Sequence, residues 1–177
     1  MTDLAGLDPY GSLTEPATLT ISRLLPGPIE RVWAYLTDET LRRQWLAAGA
    51  MDLRIGAPFE FVWRNEEISD PPGERPAGFP AEHRMQSSII ALDAPRLLVI
   101  GWGVASEVTF ELSPKGDQVL LTVIHRRLPD RASMLNVSAG WHAHLDALVE
   151  RLAGRAPTSF WDGWVRLKQA YEARLPI

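Results

Sequence analysis

The sequence predicts an α+β fold in which an antiparallel sheet is covered on one face by helices. Segments with apolar residues at every second position follow one another between residues 57 and 127, as expected of antiparallel strands that bury one face. Segments on either side of this region place apolar residues three and four positions apart, which is the spacing of one helix face. The order of one strand, two helices, several strands and a final helix is typical of a sheet with its helices on one side.

Residues 17–45 are expected to contain the first strand and a pair of helices. The segment ATLTISRLL (17–25) alternates in side-chain character, which predicts a strand. Pro28 then begins a helix, because proline suits the first helical position. One face of this helix carries Ile29, Val32, Trp33 and Leu36. Asp38 can cap a second short helix, so a structural helix–helix corner is expected here.

Four or five strands follow, interrupted by a long irregular segment. The segment APFEFVWR (57–64) places three aromatic residues on one strand face. Residues 66–83 are rich in proline and glycine, which excludes a central strand and predicts a loop insertion, with a mobile lid over a cavity as the alternative role. The later segments alternate again, and QVLLTVIHRR (118–127) directs Val119, Leu121, Val123 and His125 to one face.

Two helical segments complete the chain. From about Ser133, apolar residues recur at helical spacing as far as Leu152, and Gly154 is well placed to end this long helix. Residues 155–177 contain a further amphipathic stripe that begins after a possible capping box at Ser159. This segment has apolar residues on more than one side, so we expect it to pack back on the domain, with a weak homodimer surface as the alternative.

The composition excludes several classes of function. The net charge of −4 argues against a nucleic-acid partner held by bulk charge. Without cysteine there is no disulfide, thiolate nucleophile or zinc finger. No apolar run approaches the roughly 18–20 residues that a membrane span requires, and the first residues do not resemble a secretory signal. A cytoplasmic protein without membrane insertion is therefore expected.

Four segments together resemble one known family: GPIERVWAYLTDETLRRQWL, IIALDAPRLLVIGW, VTFELSPKGDQVLLTVIHRRL and GWHAHLDALVERLAG. They are similar to the START-like (SRPBCC) helix-grip superfamily and, within it, to bacterial domains related to the activator of the heat-shock-protein-90 ATPase (the AHSA family). The resemblance covers roughly residues 17–154. It implies a curved sheet of six or seven strands wrapped around the long C-terminal helix, over a cavity for a small hydrophobic ligand, and it supplies no shared catalytic motif.

The resemblance also sets the expected domain organisation. Residues 1–16 are expected to be a flexible arm, residues 17–154 the helix-grip domain, and residues 155–177 an additional helix. The resemblance implies a link to the stress response. The eukaryotic activators that name the family also carry a separate N-terminal chaperone-binding domain. Sixteen residues before the first strand leave no room for such a domain, so a chaperone contact is not expected.

The inward-facing residues of the strands and the long helix form the candidate binding site. Three inward aromatic residues on one strand are hard to pack against a single helix without leaving space. Flat aromatic ligands would stack on such walls. The candidate ligand-binding residues are Phe59, Phe61, Trp63, Trp102, Phe110, Leu121, Val123, His125, Trp141, His144, Leu145 and Leu148.

The histidines carry the remaining chemical hypotheses. His142 and His144 lie about 200° apart around a helix and cannot share a metal ion, so we expect no metal site, with one of them partly buried and the other exposed. His125 faces the covering helix and is a polar anchor or general base in the cavity, or else a histidine hydrogen-bonded to the backbone at the sheet edge. No second acid or nucleophile is evident beside it, so its catalytic role is only an alternative.

The sequence therefore predicts a protein that binds a small hydrophobic molecule, aromatic or polyketide-like or lipid-like, without a cofactor. An enzyme of the cyclase or lyase kind with His125 as acid or base is the first alternative. A chaperone-interacting module is the second. A roomy apolar cavity would favour binding alone, whereas a polar cluster around His125 inside the cavity would favour the enzyme.

Overall fold

A seven-stranded antiparallel sheet in the order β1-β2-β7-β6-β5-β4-β3 is the frame of the computed structural model, which describes residues 6–176. The strands are β1 (Ser12–Glu15), β2 (Thr18–Pro26), β3 (Pro58–Trp63), β4 (His83–Asp93), β5 (Leu97–Trp102), β6 (Ser106–Lys115) and β7 (Gln118–Arg126). The helices are α1 (Ile29–Thr37), α2 (Glu39–Arg42), α3 (Arg131–Leu152) and α4 (Phe160–Arg174). The predicted α+β fold class is confirmed.

The buried face of the sheet follows the predicted alternation. On β7, the side chains of Val119, Leu121, Val123 and His125 are at most 1% exposed, whereas the residues between them are partly exposed. The β6–β7 register places Phe110 opposite Val123 on the same face. Strand period and antiparallel pairing together therefore direct one continuous apolar surface towards the helices.

The long helix α3 is buried on two sides. Asp130 caps its first turn by accepting a hydrogen bond from the backbone N–H of Ser133 at 2.7 Å. Between residues 138 and 148 almost every side chain is buried, because the sheet covers one side of α3 and α4 covers another. In this stretch only Asp146 is exposed.

The double covering corrects the prediction that one of the two helix histidines is exposed. His142 is 5% exposed and His144 is 6% exposed. Tyr171 of α4 accepts a hydrogen bond from the backbone N–H of Gly11 at 2.8 Å, so its hydroxyl hydrogen is free to bond Nδ1 of His142 at 2.9 Å. The sequence could not show that α4 would lie over this side of α3.

The N-terminal segment also departs from expectation. Within the flexible arm expected over residues 1–16, Ser12–Glu15 form β1, which pairs with β2 through Ser12 opposite Thr20 and Leu13 opposite Leu19. A four-residue edge strand with a single apolar residue is too short to show a period in the sequence. Residues 1–5 of that arm, and residue 177, lie outside the described residues.

The helix corner between α1 and β3 is organised around a buried arginine. Arg42 is 1% exposed, and burial lowers its pKa to about 10. Its guanidinium donates hydrogen bonds to four backbone carbonyl groups, those of Leu36, Thr37, Ala47 and Gly49. These carbonyls end α1 and begin the approach to β3, so one side chain holds both in place. Within residues 6–176 no helix is long and apolar enough to cross a membrane.

Candidate functional site

A cavity of about 440 Å³ lies where the β3–β4 edge of the sheet meets α3, α4 and the loop between β3 and β4. It is lined by Leu46, Trp63, Asn65, Gly78, Phe79, Pro80, Ala81, His83, Met85, Trp102, Asn136, Val137, Gly140, Trp141, His144, Phe160, Trp161 and Trp164. The exposed residues of this set are concentrated between 78 and 83, so the loop marks the side on which the cavity meets solvent.

Aromatic rings form most of the cavity wall. Five of the seven tryptophans belong to it. On the sheet side, the ring of Trp102 lies 5.3 Å from that of Trp63 and 5.4 Å from that of Trp141. On the opposite side, Phe79 of the loop lies 4.9 Å from Trp164 of α4. These edge-on and tilted arrangements hold the indoles in fixed orientations around the enclosed space.

The twelve candidate residues divide between this wall and the solid core. Trp63, Trp102, Trp141 and His144 line the cavity. The other eight are packed in the core and do not line it: Phe59, Phe61, Phe110, Leu121, Val123, His125, Leu145 and Leu148. Phe61 shows why, since its ring packs 5.4 Å from Trp63 and 6.2 Å from Trp102 and fills the space behind them. The middle of the sheet is therefore closed, and the cavity is displaced towards the edge.

His125 lies behind the cavity wall. It is 0% exposed, its Nδ1 accepts a hydrogen bond from Nε1 of Trp141 at 3.1 Å, and its ring is 5.2 Å from that of Trp102. Burial lowers its pKa to about 4, so it is neutral at pH 7 with its proton on Nε2. That Nε2 has no hydrogen-bond partner among residues 6–176. His125 fixes the indole of Trp141 and has no direct route to a ligand.

His144 differs from His125 because it reaches the cavity. Its Nδ1 lies 2.7 Å from the backbone carbonyl oxygen of Trp45, and its ring packs 4.8 Å from Phe160. Burial lowers its pKa to about 4, although the carbonyl of Trp45 acts in the opposite direction. His144 is therefore a neutral polar group in an aromatic wall at pH 7.

The rest of the lining is almost free of charge. None of the described residues that line the cavity is an aspartate, glutamate, lysine or arginine. In the same part of the chain, no group of three or more histidine, aspartate or glutamate residues could hold a metal ion. The arrangement is suited to binding an apolar molecule.

Sequence reasoning missed the contribution of two segments as cavity walls. Phe160, Trp161 and Trp164 of α4 enclose one side, and Phe79 of the loop lies against them. The signal for α4 was present, because apolar residues on more than one side of a helix indicate two partners. The loop carries no periodic signal, and its position depends on contacts distant in sequence. One of these is the hydrogen bond that the backbone N–H of Trp161 donates to the carbonyl oxygen of Pro72 at 2.9 Å.

Comparison with solved structures places this architecture among known proteins. The solution structure of a protein from Bordetella parapertussis is similar over 100% of this chain and 97% of its own, with 39% sequence identity and a TM-score of 0.79. CalU16 from Micromonospora echinospora is similar over 93% of both chains, with 23% identity and a TM-score of 0.64. A protein from Rhodobacter sphaeroides matches 81% of this chain and 94% of its own, with 18% identity and a TM-score of 0.60.

These likenesses confirm the helix-grip fold, and the two under 25% identity bear on the fold alone. No curated protein matched the chain. The family model described as Activator of Hsp90 ATPase homolog 1-like protein matches residues 26–153, which is most of the chain and includes α1 to α3 and β3 to β7. The chain therefore belongs to the Activator of Hsp90 ATPase homolog 1-like family.

Proposed function

We propose that this protein binds a flat, apolar, aromatic molecule in the cavity at the β3–β4 edge. The observation that carries the proposal is the set of five tryptophans around one space of about 440 Å³. Membership of the family suggests ligand binding in a hydrophobic pocket. A volume of this size lies within the range of roughly 300–1,000 Å³ that is usual for small-molecule sites.

The wall favours aromatic ligands over flexible chains of the same size. Indole faces gain roughly 0.5–1.5 kcal/mol per ring pair beyond the burial of area, provided that the partner is also a ring. A flexible chain would lose rotational freedom on binding and would gain no such pairing. The hydrogen bond from Trp141 to His125 and the packing of Trp102 against Trp63 hold these rings in place before a ligand binds.

The loop at residues 76–82 gives the site a side that can open. Phe79 is partly buried and packs on Trp161 and Trp164, whereas its neighbours Gly78 and Pro80 are exposed. Phe79 is the apolar residue of this stretch that packs on α4, and Glu82 at its end pairs with Arg64 and Arg84. We infer that ligands enter by displacement of Phe79, which agrees with the lid role considered for the insertion.

The alternative of an enzyme that uses His125 as acid or base receives no support from this geometry. A general base must come within hydrogen-bond reach of the atom that it deprotonates. His125 is separated from the cavity by the rings of Trp102 and Trp141, and its Nδ1 is already bonded to Trp141.

A calorimetric titration with naphthalene, a rigid and uncharged aromatic probe, tests the proposal. We expect saturable binding to one site at pH 7, with a negative heat-capacity change because apolar surface is buried. The control is the variant Trp102→Ala, in which one wall of the cavity is removed and affinity should fall at least fivefold. Absence of saturable heat up to the solubility limit of naphthalene would refute the proposal.

A further inference from the structure

A hydrogen-bond acceptor on a buried side chain of the aromatic wall, Nε2 of His144, is left without a partner and remains within reach of a ligand. We propose that the physiological ligand carries a hydroxyl group that donates a hydrogen bond to Nε2 of His144, and that the cavity accepts such ligands as neutral phenols and rejects carboxylates. This inference rests on the proposed function and specifies the class of molecule that the same cavity takes.

The hydrogen bond to Trp45 fixes which nitrogen of His144 carries the proton. A backbone carbonyl oxygen can only accept, so Nδ1, which lies 2.7 Å from the oxygen of Trp45, must be the donor. In the neutral ring the remaining nitrogen, Nε2, is then an acceptor with a free lone pair. Because burial keeps His144 neutral at pH 7, this assignment holds under physiological conditions.

Nε2 of His144 has no hydrogen-bond partner among residues 6–176. It nevertheless remains accessible, in contrast to the unpartnered polar atoms that are fully buried. His144 itself is 94% buried and lines the cavity, so the cavity is where this atom meets a partner. Two other unpartnered atoms of the wall, Oδ1 of Asn65 and Nε1 of Trp161, are sealed. An acceptor without a partner in a largely apolar site favours a ligand that donates.

The charge of the wall decides between a hydroxyl and a carboxyl group on the ligand. The described lining contains neither lysine nor arginine, so an anion would lose its hydration without a counter-charge. The acceptor of His144 would also face the lone pairs of a carboxylate. A neutral phenol avoids both costs, because its single O–H donates to Nε2 and its ring stacks on the indoles.

Three naphthalenes that differ in one substituent test the inference by calorimetry at pH 7. We expect 2-naphthol to bind about three- to tenfold more tightly than 2-methoxynaphthalene, which cannot donate, as is usual for one neutral hydrogen bond. The anion 2-naphthoate should bind most weakly. Equal affinities of the naphthol and the methyl ether would overturn this inference and leave the proposed function intact, whereas the failure of naphthalene itself to bind would overturn both.

The variant His144→Asn isolates the acceptor. The amide nitrogen of asparagine can take the place of Nδ1 and donate to Trp45, but nothing replaces Nε2. In this variant the affinity for 2-naphthol relative to that for 2-methoxynaphthalene should fall to about one. The same ratio should keep its native value in His142→Asn, because His142 lies outside the cavity. If His144→Asn does not fold, the ¹⁵N shift of Nε2 in the native protein decides, since it should move on addition of 2-naphthol and stay fixed with the ether.

Discussion

Gly140 allows the cavity to be filled without loss of stability. It lies within α3 on the cavity wall, and a Cβ atom built on it would have Nε1 of Trp164 as its nearest neighbour, at 4.0 Å. This is an ordinary van der Waals distance. Glycine inside a helix costs roughly 0.5–1 kcal/mol relative to alanine, so Gly140→Ala should raise the unfolding free energy by about that amount. For a chain of this length, the melting temperature should rise by about 1–4 °C.

The larger variant Gly140→Leu should keep the helix gain and lose the ligand. Its side chain would project towards Trp164 and occupy the space in which an aromatic probe stacks. We expect the affinity for naphthalene to fall more than tenfold, measured by calorimetry beside a thermal melt. The matched control is Gly163→Leu on α4, which lies outside this cavity and should leave binding unchanged. A folded Gly140→Leu variant with native affinity would show that the ligand binds elsewhere.

Three further predictions concern stability. Burial lowers the pKa values of the histidines at 125, 142 and 144 from 6.5 to about 4. Between pH 4 and pH 6.5 the unfolded chain therefore binds more protons than the folded protein. Urea unfolding should show stability that is full above pH 6.5 and falls towards pH 4, by up to ~1.4 kcal/mol per pH unit for each histidine, whereas a flat profile would contradict their burial. Arg42→Met should lower the unfolding free energy by about 3 kcal/mol, because four backbone carbonyl groups lose their donor. The control Arg43→Met breaks only an exposed ion pair and should lower it by less than about 1 kcal/mol. Equal costs of the two substitutions would refute this role of Arg42. Truncation after Gly154 removes α4 and should both lower the melting temperature and abolish naphthalene binding, so an unchanged melt would contradict the packing of α4 on α3.

Most elements of the fold were predictable because they depend on local periodicity. The alternation on β7 is a property of the strand itself, and it placed four residues on the buried face correctly. The start of α3 was assigned two residues late, since Asp130 is the capping residue and the apolar stripe begins only afterwards. β1 was missed because its position depends on pairing with β2 and not on its own sequence.

The position of the cavity depends on contacts that no local pattern contains. The sequence correctly indicated aromatic residues facing the helix, but packing decides which of them enclose space. Phe61 fills the gap behind Trp63 and Trp102, so the predicted central cavity is closed there. The open region arises where α4 and the loop at residues 66–82 meet the sheet edge, through long-range contacts such as that of Phe79 with Trp164. His125 was correctly directed inwards, yet its bond to Trp141 places it behind the wall.

The central claim is that the cavity tryptophans bind a flat aromatic ligand, and the indole N–H signals of the protein report on it directly. Seven tryptophans give seven such signals in a proton–nitrogen correlation spectrum. On titration with naphthalene, we expect the five cavity indoles to shift together and saturably, while Trp33 and Trp45, which lie outside the cavity, keep their positions. If all seven signals stay fixed, or if Trp33 and Trp45 shift as far as the other five, the claim is wrong.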